Sequence, residues 1–491
     1  MKLLEFINII AAIFSDTHTL EEARTSPKYF TRRRKMPFAR LLQYLLCGCK
    51  GATQAVLNKF FQRGGDTIHM TQQALSKARS HFDHSPFMKA FYATVHAEYN
   101  LERDSVLPRR YGYKFIAIDG SVTALPNLPD LALAFGSVNG SPSARMSIAC
   151  DVLHDRIVEA MFVPMWVDER TCATDHIQKL ESRIVMKDTV FILDRGYPSK
   201  DLIKTILGVH AHFIMRVKRY YNRKVDEAPM GSSTVELEEG LCVRVVKFLL
   251  PSGEVETLIS DLFDMEESHF QELYFLRWPV ETKYDVVKNK LELPNFTGYS
   301  ANVLRQDFWI SMLLANAAAV AKSEADEKIQ KKREGKGNKY EYQMNVNNAI
   351  ASLRNRFVEA VFRPIRFCAP FVFMRLSEKL RPAWFRKDLT EQFNGKPHGS
   401  RNSITTKSQM FDPVPVPPSP LILLFPSSAL SLFICHLFAL LLFDLFFVVN
   451  FYPKLLTVKS REELLKKYLK LENGIPDACT FRNIIREIAT K

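Results

Sequence analysis

Two short stretches of the chain repeat one device. In YKFIAIDGS the apolar run Phe115 to Ile118 ends on Asp119 with Gly120 directly behind it, and in TVFILDRGYPS the run Val190 to Leu193 ends on Asp194 with Gly196 two residues on. A continuous apolar run of this length, bounded by turn formers, describes a buried strand rather than one that shows a face to water. Each aspartate is therefore expected at a strand's exit. One acid in that place is commonly a turn former or a helix cap. Two of them, each closing a short apolar strand and followed by a glutamate on a charged helix, are a sharper signal.

A third carboxylate sits in YFLRWPVETKYDVVKNK. On a helix, steps of seven bring Tyr274, Glu281 and Lys288 to one side, and Arg277, four before Glu281, joins their stripe. Taken alone, the stripe reads first as a solvated face with an Arg/Glu pair and settles nothing. Pro279 removes a backbone donor and crowds the carbonyl of Phe275, so the helix either kinks there or begins there. Three carboxylates brought together can hold two hard divalent cations, because Mg²⁺ prefers oxygen ligands and keeps much of its water and phosphate shell. Two such ions about 4 Å apart suit an in-line phosphodiester displacement.

The pattern Tyr-x2-Arg-x3-Glu-x6-Lys, met by Tyr274, Arg277, Glu281 and Lys288, resembles the signature of DDE transposases of the fourth insertion-sequence family. Asp119 in IDGS and Asp194 in DRGY match that family's first two acids, and LRWPVETKYDVVKNKLELPNFTGYS followed by LRQDFWISMLLAN resembles its block around the glutamate. The resemblance covers roughly residues 20 to 390. It implies an α/β fold, an RNase H-like mixed-sheet core with a β-rich insertion, preceded by a helical DNA-binding domain. It also implies Asp119, Asp194 and Glu281 as ligands of two Mg²⁺ ions, for which Mn²⁺ substitutes. The enzyme would cleave DNA at insertion-sequence ends and transfer the strands to target DNA. The implied partners are double-stranded DNA, as terminal repeats and target, and a second copy of the chain in a homodimer. Tyr274, Arg277 and Lys288 would meet phosphates and distorted terminal bases, with Arg195 and Tyr197 of DRGY beside them. Arginine offers phosphate a planar fork and lysine a point charge.

Around this core, residues 1–105 read as helical, with apolar residues at three- and four-residue spacing in FARLLQYLL, GATQAVLNKFF and SPFMKAFYATVHAEY. The opening MKLLEFINIIAAIF reads as a first helix, since Asp16, Glu21 and Glu22 follow it with no small-residue cleavage site before them. Two features there suit DNA: the run Arg32, Arg33, Arg34, Lys35, and the polar helix in MTQQALSKARSHF with Thr71, Gln72, Gln73, Ser76, Lys77 and Arg79. The second reads equally as an ordinary surface helix. Residues 106–390 form the expected catalytic domain, with an inserted β-subdomain at about 198–265 carrying HFIMRVK, TVELEEG, LCVRVVKFLL and EVETLISDL. Its cations Arg216, Lys218 and Arg219, interleaved with Tyr220 and Tyr221, suit a DNA backbone or a flipped base, and read equally as a solvated hairpin tip. The formal net charge of +14 fits a polyanionic partner.

The last hundred residues depart from the family pattern. A proline-rich linker spans 391–420, a hydrophobic segment 421–453 exceeds the roughly 20 residues a membrane span needs, and a helical piece fills 454–491. Two readings stand. Either a transposase ending near residue 410 runs on into sequence not selected for its fold and a remnant of a second element, or residues 421–450 anchor the chain in a membrane. The scattered cysteines fit a reducing compartment. The expected location is the bacterial cytoplasm at the nucleoid, with membrane association if the hydrophobic segment is an anchor. A catalytically inactive DNA-binding remnant and a membrane-anchored basic protein are the alternative functions.

Overall fold

The computed structural model describes residues 1–333 apart from 33, 49 and 64–68, together with 342–347, 349, 350, 353, 385 and 386. They lie within one compact unit, Met1–Lys396. The expected segments 391–420, 421–453 and 454–491 lie outside the described residues, as do Arg33 and most of the segment after residue 347.

The chain opens with α1 (Leu3–Ser15), α2 (Thr17–Ala23), α3 (Phe38–Leu46), α4 (Thr53–Arg63), α5 (Gln72–Arg79) and α6 (Ser85–Tyr99). In α1 the apolar residues Leu3, Phe6, Ile7, Ile10 and Phe14 fall on one stripe and are buried. Asp16 then breaks the helix and caps α2 by accepting from the backbone N–H groups of His18 and Thr19. Among the described residues no single helix is long and apolar enough to cross a membrane.

The sheet follows as β1 (Lys114–Ala124), α7 (Pro129–Phe135), β2 (Ser137–Val138), β3 (Ser141–Asp151), β4 (Arg156–Pro164), α8 (Glu169–Glu181), β5 (Thr189–Leu193), α9 (Lys200–Gly208) and β6 (His212–Arg216). Next come α10 (Arg223–Glu227), β7 (Gly231–Glu238), β8 (Leu241–Leu249) and β9 (Val255–Ser260), then α11 (Glu267–Phe275), α12 (Trp278–Asp285) and α13 (Ala301–Arg333). A two-residue pair, β10 (Tyr342–Gln343) with β11 (Phe385–Arg386), stands apart from the sheet.

Strand β3 pairs antiparallel with both β4 and β1, while β5 pairs parallel with β1 and β6 parallel with β5. Three antiparallel strands followed by two parallel to the first are the RNase H-like arrangement, and the crossovers α8 and α9 supply the helical cover that parallel pairing demands. Phe115 to Ile118 and Val190 to Leu193 are buried throughout, which is why both runs are continuously apolar.

Two expectations change here. Asp119 is not at the exit of its strand, because β1 continues through Gly120 to Ala124, held by pairing to β3 as far as Ser143. The expected insertion at 198–265 also divides differently: α9 and β6, which contains HFIM, belong to the core, and only β7 to β9 are added. These three strands form no separate sheet. Strand β9 docks antiparallel on the otherwise open edge of β6, Ile214 facing Ser260, so β9, β8 and β7 prolong the catalytic sheet.

Helix α13 runs between the N-terminal helices and the sheet, touching α1, α3, α6 and β4. Its Asn316 accepts from the Ile157 N–H at 2.9 Å and donates to the Ile157 carbonyl at 2.8 Å, satisfying backbone groups on the edge strand. Its Asp307 receives Arg79 of α5 at 2.8 Å, both side chains nearly buried. Arg79, expected on a DNA-facing helix, is thus an internal clamp; Gln72, Gln73, Ser76 and Lys77 remain exposed on the same helix.

Candidate active site

The parallel register of β1 and β5 sets Ala117 opposite Ile192. Two residues past this last pair come Asp119, still within β1, and Asp194, the residue that follows β5, close enough that the Asp194 charge acts on the Asp119 carboxyl. Both side chains are partly open to solvent, 23% and 31% exposed. The Asp119 backbone is fixed from beneath by Tyr284, whose hydroxyl donates to its carbonyl at 2.7 Å and to that of Met146 at 3.2 Å.

The glutamate arrives from an irregular helix. Helix α11 stops at Phe275, Arg277 caps the next, and Pro279 lies in the first turn of α12, where its missing N–H costs nothing. Beyond Asp285 the helix widens into a π-turn over Val286–Lys290, closed by the Leu291 N–H on the Val286 carbonyl at 2.8 Å. Such turns are uncommon and concentrate at functional sites. This one carries Lys288 back to the strand of the first aspartate, where its amine donates to Ser121 Oγ at 2.6 Å and the Val122 carbonyl at 2.8 Å.

The four residues of the stripe thus meet the two aspartates. Tyr274 donates its hydroxyl to Asp194 at 3.2 Å. Arg277 lies between acids, its guanidinium 2.7 Å from Glu281 and 3.9 Å from Asp119. Its Nε is buried without a hydrogen-bond partner. Arg277 and Tyr274 are themselves buried, so in this state their polar ends serve the acids rather than a surface.

Burial pushes the Asp119 carboxyl up to about 6; the Gly120 N–H and Arg277 oppose the rise, and the charges of Asp194 and Glu169 add to it. Burial, with the Asp194 charge, likewise lifts the Tyr274 phenol to about 12, keeping it a donor. Burial works against the Arg277 charge, yet Tyr274, Glu281 and Asp194 outweigh it and hold the guanidinium above its usual range.

Other expected residues fall into three groups. Arg195, Lys218 and Arg219 are exposed, and so are Arg32, Arg34 and Lys35 on the loop between α2 and α3. Arg216 is not a free cation: it makes paired contacts with Glu256, each 2.6 Å, and reaches Asp194 at 3.9 Å, so it supports the site from the end of β6, braced by β9 of the sheet extension. Tyr197 cannot meet DNA as expected, because the DRGY turn folds its ring inward and leaves it 1% exposed.

Glu169 and its partner Arg145 were not among the expected residues. Glu169 stands in the first turn of α8, beside Gly120 and Gly196, and accepts from Arg145 at 2.6 Å. The only local signal is an acid following the helix cap Asp168 in VDERT. Among the described residues no three His, Cys, Asp or Glu side chains are close enough together to hold one ion. Arg277 accounts for this at Glu281, since its guanidinium occupies the space between that carboxylate and Asp119.

Residues 110–317 match the family model described as the transposase DDE domain. No curated protein matches the chain. Among solved structures, the cryo-EM structure of the piggyBac transposase synaptic complex with hairpin DNA is similar over 78% of this chain and 86% of that chain, with 12% identity and a TM-score of 0.45. By this match residues 110–317, somewhat under half of the chain, are similar to a transposase DDE domain.

Proposed function

We propose that this chain is a DDE transposase that cleaves DNA at the ends of its own insertion sequence and joins the freed 3′ hydroxyls to target DNA, with Asp119, Asp194 and Glu281 as its catalytic acids. DDE transposases use divalent metal ions, and the finer assignment is that these three acids hold two Mg²⁺ ions, with Mn²⁺ as a substitute. The observation that carries the reading is the strand register, which sets two partly exposed carboxylates side by side with the Arg277–Glu281 pair next to them.

The donor set fits such ions. All the donors are carboxylate oxygens, the type that hard cations prefer, and burial, with smaller contributions from the Asp194 and Glu169 charges, lifts the Asp119 pKa. Ions bound there would activate the attacking hydroxyl and stabilise the leaving oxygen. The chain's own residues do the rest. Tyr274 orients Asp194, Tyr284 fixes the Asp119 backbone, and Lys288 ties the glutamate helix to β1. Arg277 neutralises Glu281 and Asp119 until a DNA phosphate, a better bidentate partner, draws it away and frees both carboxylates.

At the same helix break Trp278 and Phe275 are exposed, 63% and 49%, and offer flat faces on which unpaired bases stack. Exposed Arg195, Lys218 and Arg219, with the basic loop after α2, supply sequence-independent phosphate contacts. A homodimer working on two paired ends completes the reading.

The test is cleavage of a plasmid that carries this gene with its own flanking DNA, with Mg²⁺ or with EDTA. Cuts at the flanks in Mg²⁺ alone are expected. Flanks that are bound and never cut, in Mg²⁺ or Mn²⁺, would contradict the reading.

A further inference from the structure

We infer that Glu169 is a fourth acid of the divalent-ion centre, holding the ion's water shell from the side of the Asp119–Asp194 pair that α8 covers; this rests on the metal-ion reading proposed above. The glycines that follow the two aspartates mark its place. A Cβ added at Gly120 would stand 3.1 Å from the Glu169 Cγ and 3.2 Å from its Oε1, and one at Gly196 would stand 3.5 Å from its Oε2. Any larger residue at Gly120 would crowd the carboxylate. The glycines let an acid from another element lie directly over both aspartate segments.

The carboxylate is held at one oxygen and free at the other. Oε1 accepts from Arg145 Nη1 at 2.6 Å, and Arg145 is itself fixed by donating from Nε to the Val167 carbonyl at 2.9 Å. Oε2, over Gly196, hydrogen-bonds to none of the described residues.

A second, independent observation lies beneath it. The Tyr197 hydroxyl is buried and has no hydrogen-bond partner. Its surroundings are Asp119, Glu169, Cys172 and Arg145, whose charges it senses after burial itself. Buried hydroxyls are nearly always satisfied, by protein or by an ordered water. A water carried by a bound ion, placed between Tyr197 and Oε2, would satisfy both groups at once. Mg²⁺ and Mn²⁺ suit the site, since Mg²⁺ in particular retains several waters when held by few carboxylates. Among the described residues no three acids are close enough together to share one ion directly, and contact through the water shell needs no such closeness.

The test reads ion binding without DNA and without turnover: Mn²⁺ affinity of the full chain, followed by the electron paramagnetic resonance signal of free Mn²⁺. Asp119→Asn should lose tight binding. E169Q should weaken it by about tenfold, the usual effect of removing an outer-shell partner, with E169D recovering part of the loss. Tyr197→Phe should shift it in the same direction by less. Arg145→Met, which removes the anchor and keeps the acid, should weaken it less than E169Q; an equal loss would mean that the ion pair alone matters and would overturn the inference. So would E169Q binding Mn²⁺ like the wild type while Asp119→Asn does not, and the metal-ion reading would then stand. Wild-type binding by Asp119→Asn would sink both.

Discussion

The two flanks of the aspartate pair each present a glutamate gripped by an arginine, and they grip it differently. On the α8 flank, Arg145 of β3 grips Glu169 while anchored on the Val167 carbonyl, just ahead of the Asp168 cap of a regular helix. On the α12 flank, Arg277 stands between Glu281 and Asp119, on a helix interrupted at Leu276 and widened after Asp285. Arg145 can stay in place while ions bind. Arg277 occupies the position of a positive charge among acids and, on the proposed metal-ion reading, would have to move. One flank is therefore a fixed wall and the other a gate, and the irregular backbone lies on the side that has to rearrange.

The largest effect should come from the residues both flanks share. Asp119→Asn or Asp194→Asn should lower flank cleavage by about 10³-fold or more while DNA binding, read by fluorescence anisotropy, is kept. Cutting retained in either variant would remove that aspartate from the centre.

Next come the two arginines, whose difference the comparison predicts. Arg277→Met leaves two carboxylates uncompensated and should reduce the metal-free unfolding free energy by about 2 kcal/mol, as lost charge-assisted hydrogen bonds do. Arg145→Met, which breaks a partly exposed pair, should cost about 1 kcal/mol or less. Urea unfolding of both reads the difference, and an equal cost would dissolve the distinction between gate and wall.

A smaller effect concerns pH. The Asp119 carboxyl is raised from 3.8 to about 6 in the folded state, so the folded protein binds the extra proton between those values. Its contribution to metal-free stability is full below the lower value and lost as pH rises through the upper one. Subtracting the curve of Asp119→Asn from that of the wild type should isolate this slope. A flat difference from pH 4 to 6 would show that Asp119 is not buried among charges as described. The smallest change is Tyr274→Phe, which removes one hydroxyl from Asp194 and should slow cleavage by about fivefold, or about 1 kcal/mol.

Much of this site was legible in the sequence because it rests on local patterns. Continuous apolar runs before Asp119 and Asp194 mark buried strands, and equal spacing from strand to acid lets parallel register align them. The seven-residue steps from Tyr274 to Lys288 survived even though the helix breaks at Leu276, ahead of Pro279, and loosens into a π-turn. What was hidden depends on partners distant in sequence. Arg79 and Arg216 look like surface cations until Asp307 and Glu256 are folded against them. Tyr197 sits in a polar motif and yet points inward. Glu169 has no motif; only the packing of α8 over Gly120 and Gly196 reveals it. The sheet extension read as an insertion because strand runs say nothing of which edge they join, and β6 supplied that edge.

The central claim is that Glu281 joins Asp119 and Asp194 in holding ions, although Arg277 separates it from them in this state. The direct measurement is metal rescue of Glu281→Cys. A thiolate is a poor partner for Mg²⁺ and a better one for softer ions. The variant should fail to cut the flanks in Mg²⁺ and regain cutting in Mn²⁺ or Cd²⁺, as should Asp119→Cys. Rescue of Asp119→Cys with none for Glu281→Cys, in a protein that still binds the flanks, would contradict the claim.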